Sequence, residues 1–349
     1  MKSSSSCLTF TSVAFFAALI WSPRVLAAAN SARCDPQAFP DMPTPRLSLA
    51  AAVSLDGRIF VIGGSAGSSV PLDVVEAYEP ATQTWATMSP MPTARSYLGA
   101  ATGDDGLIYA IGGMDSAAQP LGTVEVYDPD TDSWTEIQPM PTARIAPSVV
   151  KGTDGMIYAL GGTAPLYTYL ATLEAFDPDA GTWEELPPMP IARIWQAGAA
   201  GSDERIYVVG GWYSNRAQAT VSAYTPSTGT WDSVASMRTA RLALATATGL
   251  DGRIYSLGGT DSRSYFSSAE AYDPEIDAWD AISPMPTARG WFASAAGLDG
   301  RIYAVGGRTN GGAPTTRSPS HVRGIRPADR LLVVVTKGRP QTTHTPPGI

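Results

Sequence analysis

Arginines and glutamates recur along this chain in a repeating frame. Six arginines end Met-Pro-x-x-Arg-like elements at intervals of 48 or 49 residues: Arg46, Arg95, Arg144, Arg193, Arg241 and Arg289. Four glutamates each stand two residues before an aromatic residue: Glu76, Glu125, Glu174 and Glu270. The fourth copy has Ser222 at this place. A buried carboxylate needs a hydrogen-bonded partner, and a guanidinium is a strong one. We therefore predict that a recurring arginine binds each glutamate, which makes both residues structural.

Other residues that could carry chemistry are scarce. Residues 36–307 contain neither histidine nor cysteine, so an imidazole or thiolate site for zinc, copper or iron cannot be built there. A serine nucleophile would have no histidine base. Asp128, Asp130 and Asp132 have a spacing that suits calcium, but they read better as a polar turn because the glycine and distal glutamate of a calcium loop are missing. We predict no catalytic residue, no metal and no cofactor.

The segments between successive arginines predict four short strands each. In the second copy, Asp105-Gly106 separates two apolar runs and favours a type I′ hairpin turn, in which both central residues need positive φ. The run Thr123–Tyr127 alternates apolar and polar residues, as in a half-buried strand. Pro139 and Pro141 end the fourth strand, since proline cannot donate to a ladder. Four-stranded units repeated around an axis form a β-propeller.

The marks of each copy resemble the kelch repeat. Glycine pairs stand at Gly63-Gly64, Gly112-Gly113, Gly161-Gly162, Gly210-Gly211, Gly258-Gly259 and Gly306-Gly307. The aromatic residues of the third strand are Tyr78, Tyr127, Phe176, Tyr224 and Tyr272, and the tryptophans of the fourth are Trp85, Trp134, Trp183, Trp231 and Trp279. The resemblance spans Arg46 to Gly307. It implies an all-β fold, a six-bladed β-propeller of four-stranded antiparallel blades whose last blade is incomplete or degenerate.

The two ends of the sequence differ from the repeats. Residues 1–29 are typical of a signal peptide, because Lys2 precedes an apolar run and small residues follow it. An uncleaved anchor is the alternative interpretation. We expect the propeller over residues 36–307, with an N-terminal outer strand closing the last blade. Cys34 would be left without an internal disulfide partner.

Residues 308–349 hold seven basic residues and one acid, whereas the whole chain holds 24 basic and 32 acidic residues. They form either a basic, disordered tail or a sixth-blade segment whose repeat was lost, for example by a frameshift. We favour the second interpretation because the repeat stops within a blade. The run Leu331–Val335 is then a candidate for the missing third strand.

Functional residues are best sought where the repeats differ. Two residues after each recurring arginine, large aromatic and small residues alternate: Ser48, Tyr97, Ala146, Trp195, Ala243 and Trp291. Tyr97, Trp195 and Trp291 should form an aromatic collar at the mouth of the central channel, either as packing that fills the channel or as a platform for a ligand. The variable loops after the second strands add Trp212, Tyr213, Arg216, Arg263 and Tyr265 as candidates for ligand binding.

These features favour a secreted, periplasmic or cell-surface protein, expected as a monomer without a membrane span in its mature chain, that recognises a protein or glycan on its loop face. A metal-independent sugar epimerase or mutarotase is the alternative; Asp115 and Asp261 are its nearest candidate carboxylates. A passive surface scaffold is a further alternative. Nucleic acid is a poor partner, because the net charge of −8 repels phosphates.

Overall fold

The structure, a computed structural model, describes residues 33–34, 39–67, 70–309 and 332–335. In these ranges the regular structure is β-strand, apart from a 3-10 turn at Pro165–Tyr167. The all-β prediction is confirmed. None of the helical structure in these ranges is long and apolar enough to cross a membrane. The predicted signal peptide, residues 1–29, lies outside the described residues.

Five antiparallel sheets are each built from four consecutive strands, as the repeat predicts. In blades one and two the strands are Ala50–Val53, Ile59–Ile62, Val75–Glu79 and Thr84–Met88, then Gly99–Thr102, Ile108–Ile111, Val124–Asp128 and Ser133–Ile137. In blades three and four they are Ser148–Lys151, Ile157–Leu160, Leu173–Asp177 and Thr182–Leu186, then Ala197–Ala200, Ile206–Val209, Val221–Thr225 and Thr230–Val234. Blade five has Ala245–Thr248, Ile254–Leu257, Ala269–Asp273 and Ala278–Ile282.

A sixth sheet combines strands that are distant in sequence. Ala293–Ala296 and Arg301–Val305 are its first and second strands, Leu332–Val335 pairs with the second, and Arg33–Cys34 pairs with Leu332–Val335 as the outer strand. The third strand thus falls within the run Leu331–Val335, and the outer strand comes from the N-terminal side. This sheet departs from the repeat of the other five, as expected for a degenerate last blade.

The recurring arginines join each blade to its neighbour. The main-chain carbonyl of each arginine accepts a hydrogen bond from the second glycine of the preceding blade, over 2.8 to 3.1 Å: Gly64 to Arg95, Gly113 to Arg144, Gly162 to Arg193, Gly211 to Arg241, Gly259 to Arg289 and Gly307 to Arg46. The last of these bonds links blade six to blade one. The first strands of successive blades also contact one another all the way round, so the propeller is a closed ring.

The glycine pairs are required at these junctions. Gly63 and Gly64 have φ of 61° and 98°, which a residue with a side chain adopts only at a cost. A Cβ on Gly63 would lie 2.6 Å from the carbonyl oxygen of Arg95, in the connection to the next blade. The backbone of one blade therefore reaches the next only through glycine.

The arginine side chains are anchored by carboxylates, as predicted. Arg95 is fully buried, and its Nη2 donates to Glu125 Oε2 over 2.8 Å while its Nη1 donates to the carbonyls of Gly112 and Thr123. Thr93 donates to the second carboxylate oxygen of Glu125 over 2.6 Å. The same ion pair recurs in three other blades: Arg46 with Glu76, Arg144 with Glu174 and Arg241 with Glu270. Burial lowers the pKa of Arg95 to about 10, and the charge of Glu125 opposes that shift.

Aromatic residues complete the contacts between blades. In blade two the rings of Tyr127 and Trp134 have centroids 5.0 Å apart, and Tyr127 packs against Phe60 of blade one at 5.4 Å. The indole N–H of Trp134 donates to the carbonyl of Ser89 in blade one over 3.0 Å. Blades one to five share this arrangement, in which apolar area covers the neighbouring edge and the indole N–H is satisfied there.

The hairpin turn between the first two strands differs from the prediction. Ser54 N–H donates to the Arg58 carbonyl, and Gly57 is the residue of this turn with positive φ, 93°. This is a three-residue loop closed by a left-handed residue, so the type I′ prediction is wrong. Asp56 stays outside the left-handed region, and its carboxylate accepts the backbone N–H of Arg58 over 3.2 Å. In blade four Glu204 takes the left-handed position, with φ of 67°.

We predict that Glu125→Ala lowers the free energy of unfolding by about 3–5 kcal/mol, because Arg95 would keep a buried charge without its counterion. Urea unfolding followed by tryptophan fluorescence measures the change. Asp130→Ala is the matched control, since Asp130 is an exposed acidic residue of the same blade and its loss should cost less than about 0.5 kcal/mol. Equal effects of the two substitutions would contradict the structural role of the ion pair.

Candidate ligand-binding site

The loops that follow the second strands and the connections between blades lie together on one end of the propeller. Isolated bridges join them in several blades, for example Ile145 with Thr163 and Ile194 with Trp212. In blade six the short strand Arg289–Gly290 pairs with Arg308–Thr309. We call this end the loop face. It brings the variable loops next to the residues that follow each recurring arginine.

The residues two positions after each arginine form a collar at the channel mouth: Ser48, Tyr97, Ala146, Trp195, Ala243 and Trp291. All six have φ between 50° and 57°. Among the described residues, five backbone hydrogen bonds connect them around the ring: Tyr97 to Ser48, Ala146 to Tyr97, Ala243 to Trp195, Trp291 to Ala243 and Ser48 to Trp291. The left-handed conformation turns each N–H toward the neighbouring blade.

This backbone explains why the positions recur but not why three of them are aromatic. A left-handed conformation disfavours bulky side chains, and alanine occupies the same conformation at Ala146 and Ala243. The backbone conformation of the collar therefore does not require an aromatic side chain. Tyr97, Trp195 and Trp291 are each half-buried, so part of their surface stays open to solvent.

Three rings pack into an aromatic corner, formed by Trp195, Trp291 and Tyr265. Trp195 and Trp291 meet edge to face with centroids 6.3 Å apart, and Tyr265 meets Trp291 edge to face at 5.8 Å. The Tyr265 ring lies against the backbone of Gly290, where a Cβ would be 3.0 Å from the ring. Among the three collar aromatics, Trp195 and Trp291 make ring contacts in the described part of the chain, whereas Tyr97 makes none there. The third ring of the corner is Tyr265, from the loop of blade five. The predicted collar is therefore uneven.

A positive charge borders this corner. The guanidinium of Arg308 lies 5.7 Å from the ring centroid of Tyr265, within the range of a cation–π contact. Burial raises the pKa of Tyr265 to about 12, and the charge of Arg308 opposes that rise. Burial also raises the pKa of Tyr97, again opposed by Arg308. Both phenols are therefore neutral hydrogen-bonding groups at neutral pH.

The other predicted site residues lie in loops of the same face. Trp212–Tyr213 pairs with Arg216–Ala217 in a short hairpin, and Gln218 Nε2 donates to the carbonyls of Tyr213 and Arg216. Arg216 is exposed, as is Arg263, which lies in a turn capped by Asp261. In the described part of the chain, no ring or ion-pair contact joins these residues to Trp195 or Trp291. They border the site but do not form it.

Small residues narrow the channel below the collar. The space between the first strands of the six blades has a volume of about 140 Å³ and is open to solvent. A Cβ on Gly99 would lie 2.3 Å from a methyl carbon of Val149, and Thr246 Oγ1 donates to the Gly198 carbonyl across two blades over 2.7 Å. A ligand larger than a few solvent molecules is thus confined to the mouth.

The two carboxylates proposed for an epimerase are occupied within their own turns. Asp115 Oδ1 accepts the N–H groups of Ala117 and Gln119, each over 2.8 Å. Asp261 Oδ1 accepts those of Arg263 and Ser264, and these bonds hold the pKa of Asp261 below its usual range although burial acts in the opposite direction. A carboxylate with a lowered pKa is a poor general base. The ranges described contain no cluster of three or more His, Cys, Asp or Glu side chains placed to hold a metal.

Sequence reasoning did not single out Arg308 or Leu166 on this face. Arg308 directly follows the glycine pair of blade six, and Trp212 directly follows that of blade four. This shared position could have identified Arg308 as a candidate. Leu166 and Tyr167 lie at the tip of the blade-three loop with 96% and 78% of their surface exposed. Their φ values of 61° and 57° hold the tip outward, which the sequence does not reveal.

Comparisons with known proteins agree with this architecture. The family model of the KLHDC2/KLHL20/DRC7 Kelch-repeats domain matches residues 25–211, and the Kelch motif matches residues 196–238 and 241–286. No curated protein sequence is similar enough to match. The solved structure of YjhT superposes with a TM-score of 0.71 at 16% identity, over 86% of this chain and 97% of that one. At that identity the likeness shows the fold alone.

We predict that Gly290→Ala displaces the Tyr265 ring from Trp291 and lowers the free energy of unfolding by about 1–3 kcal/mol, as overpacking does. Near-ultraviolet circular dichroism and urea unfolding measure the two effects. In a Tyr265→Ala background the added methyl group meets no ring, so its cost should fall to less than about 0.5 kcal/mol. An equal cost in both backgrounds would show that Tyr265 does not pack on this backbone.

Proposed function

We propose that this chain, which belongs to the kelch-repeat family of β-propellers, is a non-enzymatic binding module that recognises a protein or glycan ligand on its loop face. The observation that carries the proposal is the half-buried aromatic corner of Trp195, Trp291 and Tyr265 with the Arg308 guanidinium beside it. Open aromatic faces next to a cation and neutral phenols suit a ligand with one apolar and one polar side.

Backbone conformation supports binding over packing as the role of the collar rings. Alanine stands at two collar positions with the same φ, so the ring of blades closes without a large side chain there. The channel below is already narrowed by its own first strands. Tryptophan at Trp195 and Trp291 then adds surface that the fold does not require, and aromatic anchors of this kind dominate binding energies.

The rim of the site offers further contacts. Tyr213, Arg216 and Arg263 are exposed on neighbouring loops, and Leu166 and Tyr167 project from the loop of blade three. Side chains at such rims contribute little individually and mostly adjust the association rate and selectivity. We expect Tyr97, Trp195, Trp291, Tyr265 and Arg308 to carry most of the affinity, with Trp212 at the rim.

The test is a screen of the purified protein on a glycan array and a matched peptide pool. We predict that any ligand found loses at least about 30-fold in affinity, or about 2 kcal/mol, in Trp195→Ala/Trp291→Ala. Trp134→Ala is the matched control: it removes a half-buried tryptophan from an outer strand and should keep the affinity. Binding that survives in the double variant would contradict the proposed site. A double variant that is strongly destabilised, with no ligand found for the parent, would assign the collar to packing.

We also propose that the protein is exported, on the strength of the charged and apolar pattern of residues 1–29. Expression of the full chain with a C-terminal tag should give an exported species whose intact mass lacks about these residues. Ala18→Arg/Leu19→Arg interrupts the apolar run and should leave the full-length chain inside the cell. A full-length chain in the exported fraction would support an uncleaved anchor instead.

A further inference from the structure

Blade four lacks the counterion that neutralises the buried arginine in four other blades. Ser222 occupies the strand position held elsewhere by Glu76, Glu125, Glu174 and Glu270. A second change accompanies it: Ile191 stands where Thr44, Thr93 and Thr142 each donate a hydrogen bond to the glutamate of their blade. Both groups that surround the carboxylate site have thus changed together, while the arginine has stayed.

Arg193 keeps the geometry of the other arginines without their charge compensation. Its relative exposure is 0%. Its Nη1 donates to the carbonyls of Gly210 and Thr220, over 3.1 and 3.2 Å, so the guanidinium stays at the end of the second and third strands. Its Nη2, which in blade two donates to Glu125, has no hydrogen-bond partner among the described residues.

A second buried group at the same place is also unsatisfied. The hydroxyl of Thr220, whose carbonyl accepts from the Arg193 guanidinium, lacks a partner within the described part of the chain. Ser222, two residues further along the strand, is 5% exposed. Near the position where a carboxylate lies in four other blades, the described part of blade four thus has an unpaired guanidinium N–H, the unpaired Thr220 hydroxyl and the small side chain of Ser222.

The charge requires compensation. Burial lowers the pKa of Arg193 to about 10, with no neighbouring acid to oppose it, so the side chain is still protonated at neutral pH. An unpaired buried charge is costly by several kcal/mol. A water molecule can satisfy the N–H donor but carries no net charge to offset the guanidinium.

We propose that blade four binds a small monovalent anion, of which chloride is the representative, between Arg193 Nη2 and the side chain of Ser222, in place of the missing carboxylate. Serine has three fewer side-chain heavy atoms than glutamate, which leaves room next to the guanidinium for an ion of this size. One negative charge balances one guanidinium, whereas phosphate is larger and carries more charge than the site can match. The hydroxyls of Ser222 and Thr220 are the additional donors.

The experiment follows the melting temperature of the purified full chain in sodium chloride and in sodium gluconate at equal ionic strength. Screening is the same in both salts, and gluconate is too large for the site. We expect the melting temperature to be a few degrees higher in chloride and to rise with the logarithm of its concentration, as ligand linkage requires. Equal melting temperatures in the two salts would overturn the proposal.

Two variants locate the site. Ile191→Thr/Ser222→Glu restores the residues of the other blades, so it should lose the difference between the salts and melt in gluconate as high as the parent does in chloride. Ser233→Glu adds the same charge at an exposed position paired with Ser222 in the sheet, and it should keep the difference. A restored variant that still responds to chloride would place the anion elsewhere and overturn the assignment.

Anomalous scattering from crystals grown in bromide gives a readout that does not depend on how the variants fold. A bromide peak within hydrogen-bond distance of Arg193 Nη2 is the expected result. A well-defined guanidinium with a water molecule, and no anomalous peak, would refute the anion site directly.

Discussion

The fold depends on the buried arginine that ends each blade-to-blade connection. Its main-chain carbonyl accepts an N–H from the preceding blade, and its side chain binds the carbonyls at the end of the second and third strands of its own blade. One residue thus fixes both the contact between two blades and the internal geometry of one. A buried guanidinium charge is costly without a counterion. Four blades supply a glutamate beside it.

The same constraint explains the other recurring residues. The glycine pairs allow the backbone to approach the arginine carbonyl with positive φ, and each threonine before the arginine orients the carboxylate. In blades one to five a tyrosine or phenylalanine and a tryptophan cover the remaining edge with apolar surface. Repetition is therefore a sign of structural necessity in this chain, and departures from it identify places where another requirement acts.

Two departures stand out, and they differ in kind. At the collar, a backbone conformation shared by six residues carries three aromatic side chains that it does not need, and they lie on the open face of the propeller. In blade four, the loss of Glu and Thr leaves a buried charge inside the sheet junction. The collar aromatics are partly exposed to solvent, which suits recognition of a ligand. The Arg193 side chain is buried, so its missing counterion concerns stability. Neither departure affects the ring of glycine-to-arginine hydrogen bonds.

The four-stranded blade and its internal ion pair could be predicted from the sequence alone. The period, the glycine pairs and the alternating strands predicted four-stranded blades, and the matched recurrence of Arg and Glu predicted their ion pairs, because these depend on contacts that each repeat makes in the same way. The sequence-based prediction was wrong for the hairpin turn. Asp-Gly is compatible with more than one loop type, and the hydrogen bonds around Gly57 select the three-residue loop. The sequence also placed Ser222 where Arg193 would need a carboxylate, but the aromatic corner became visible only in the tertiary structure. Tyr265 of blade five meets Trp291 and the Arg308 guanidinium of blade six, and such distances depend on how neighbouring blades pack, which no single repeat encodes.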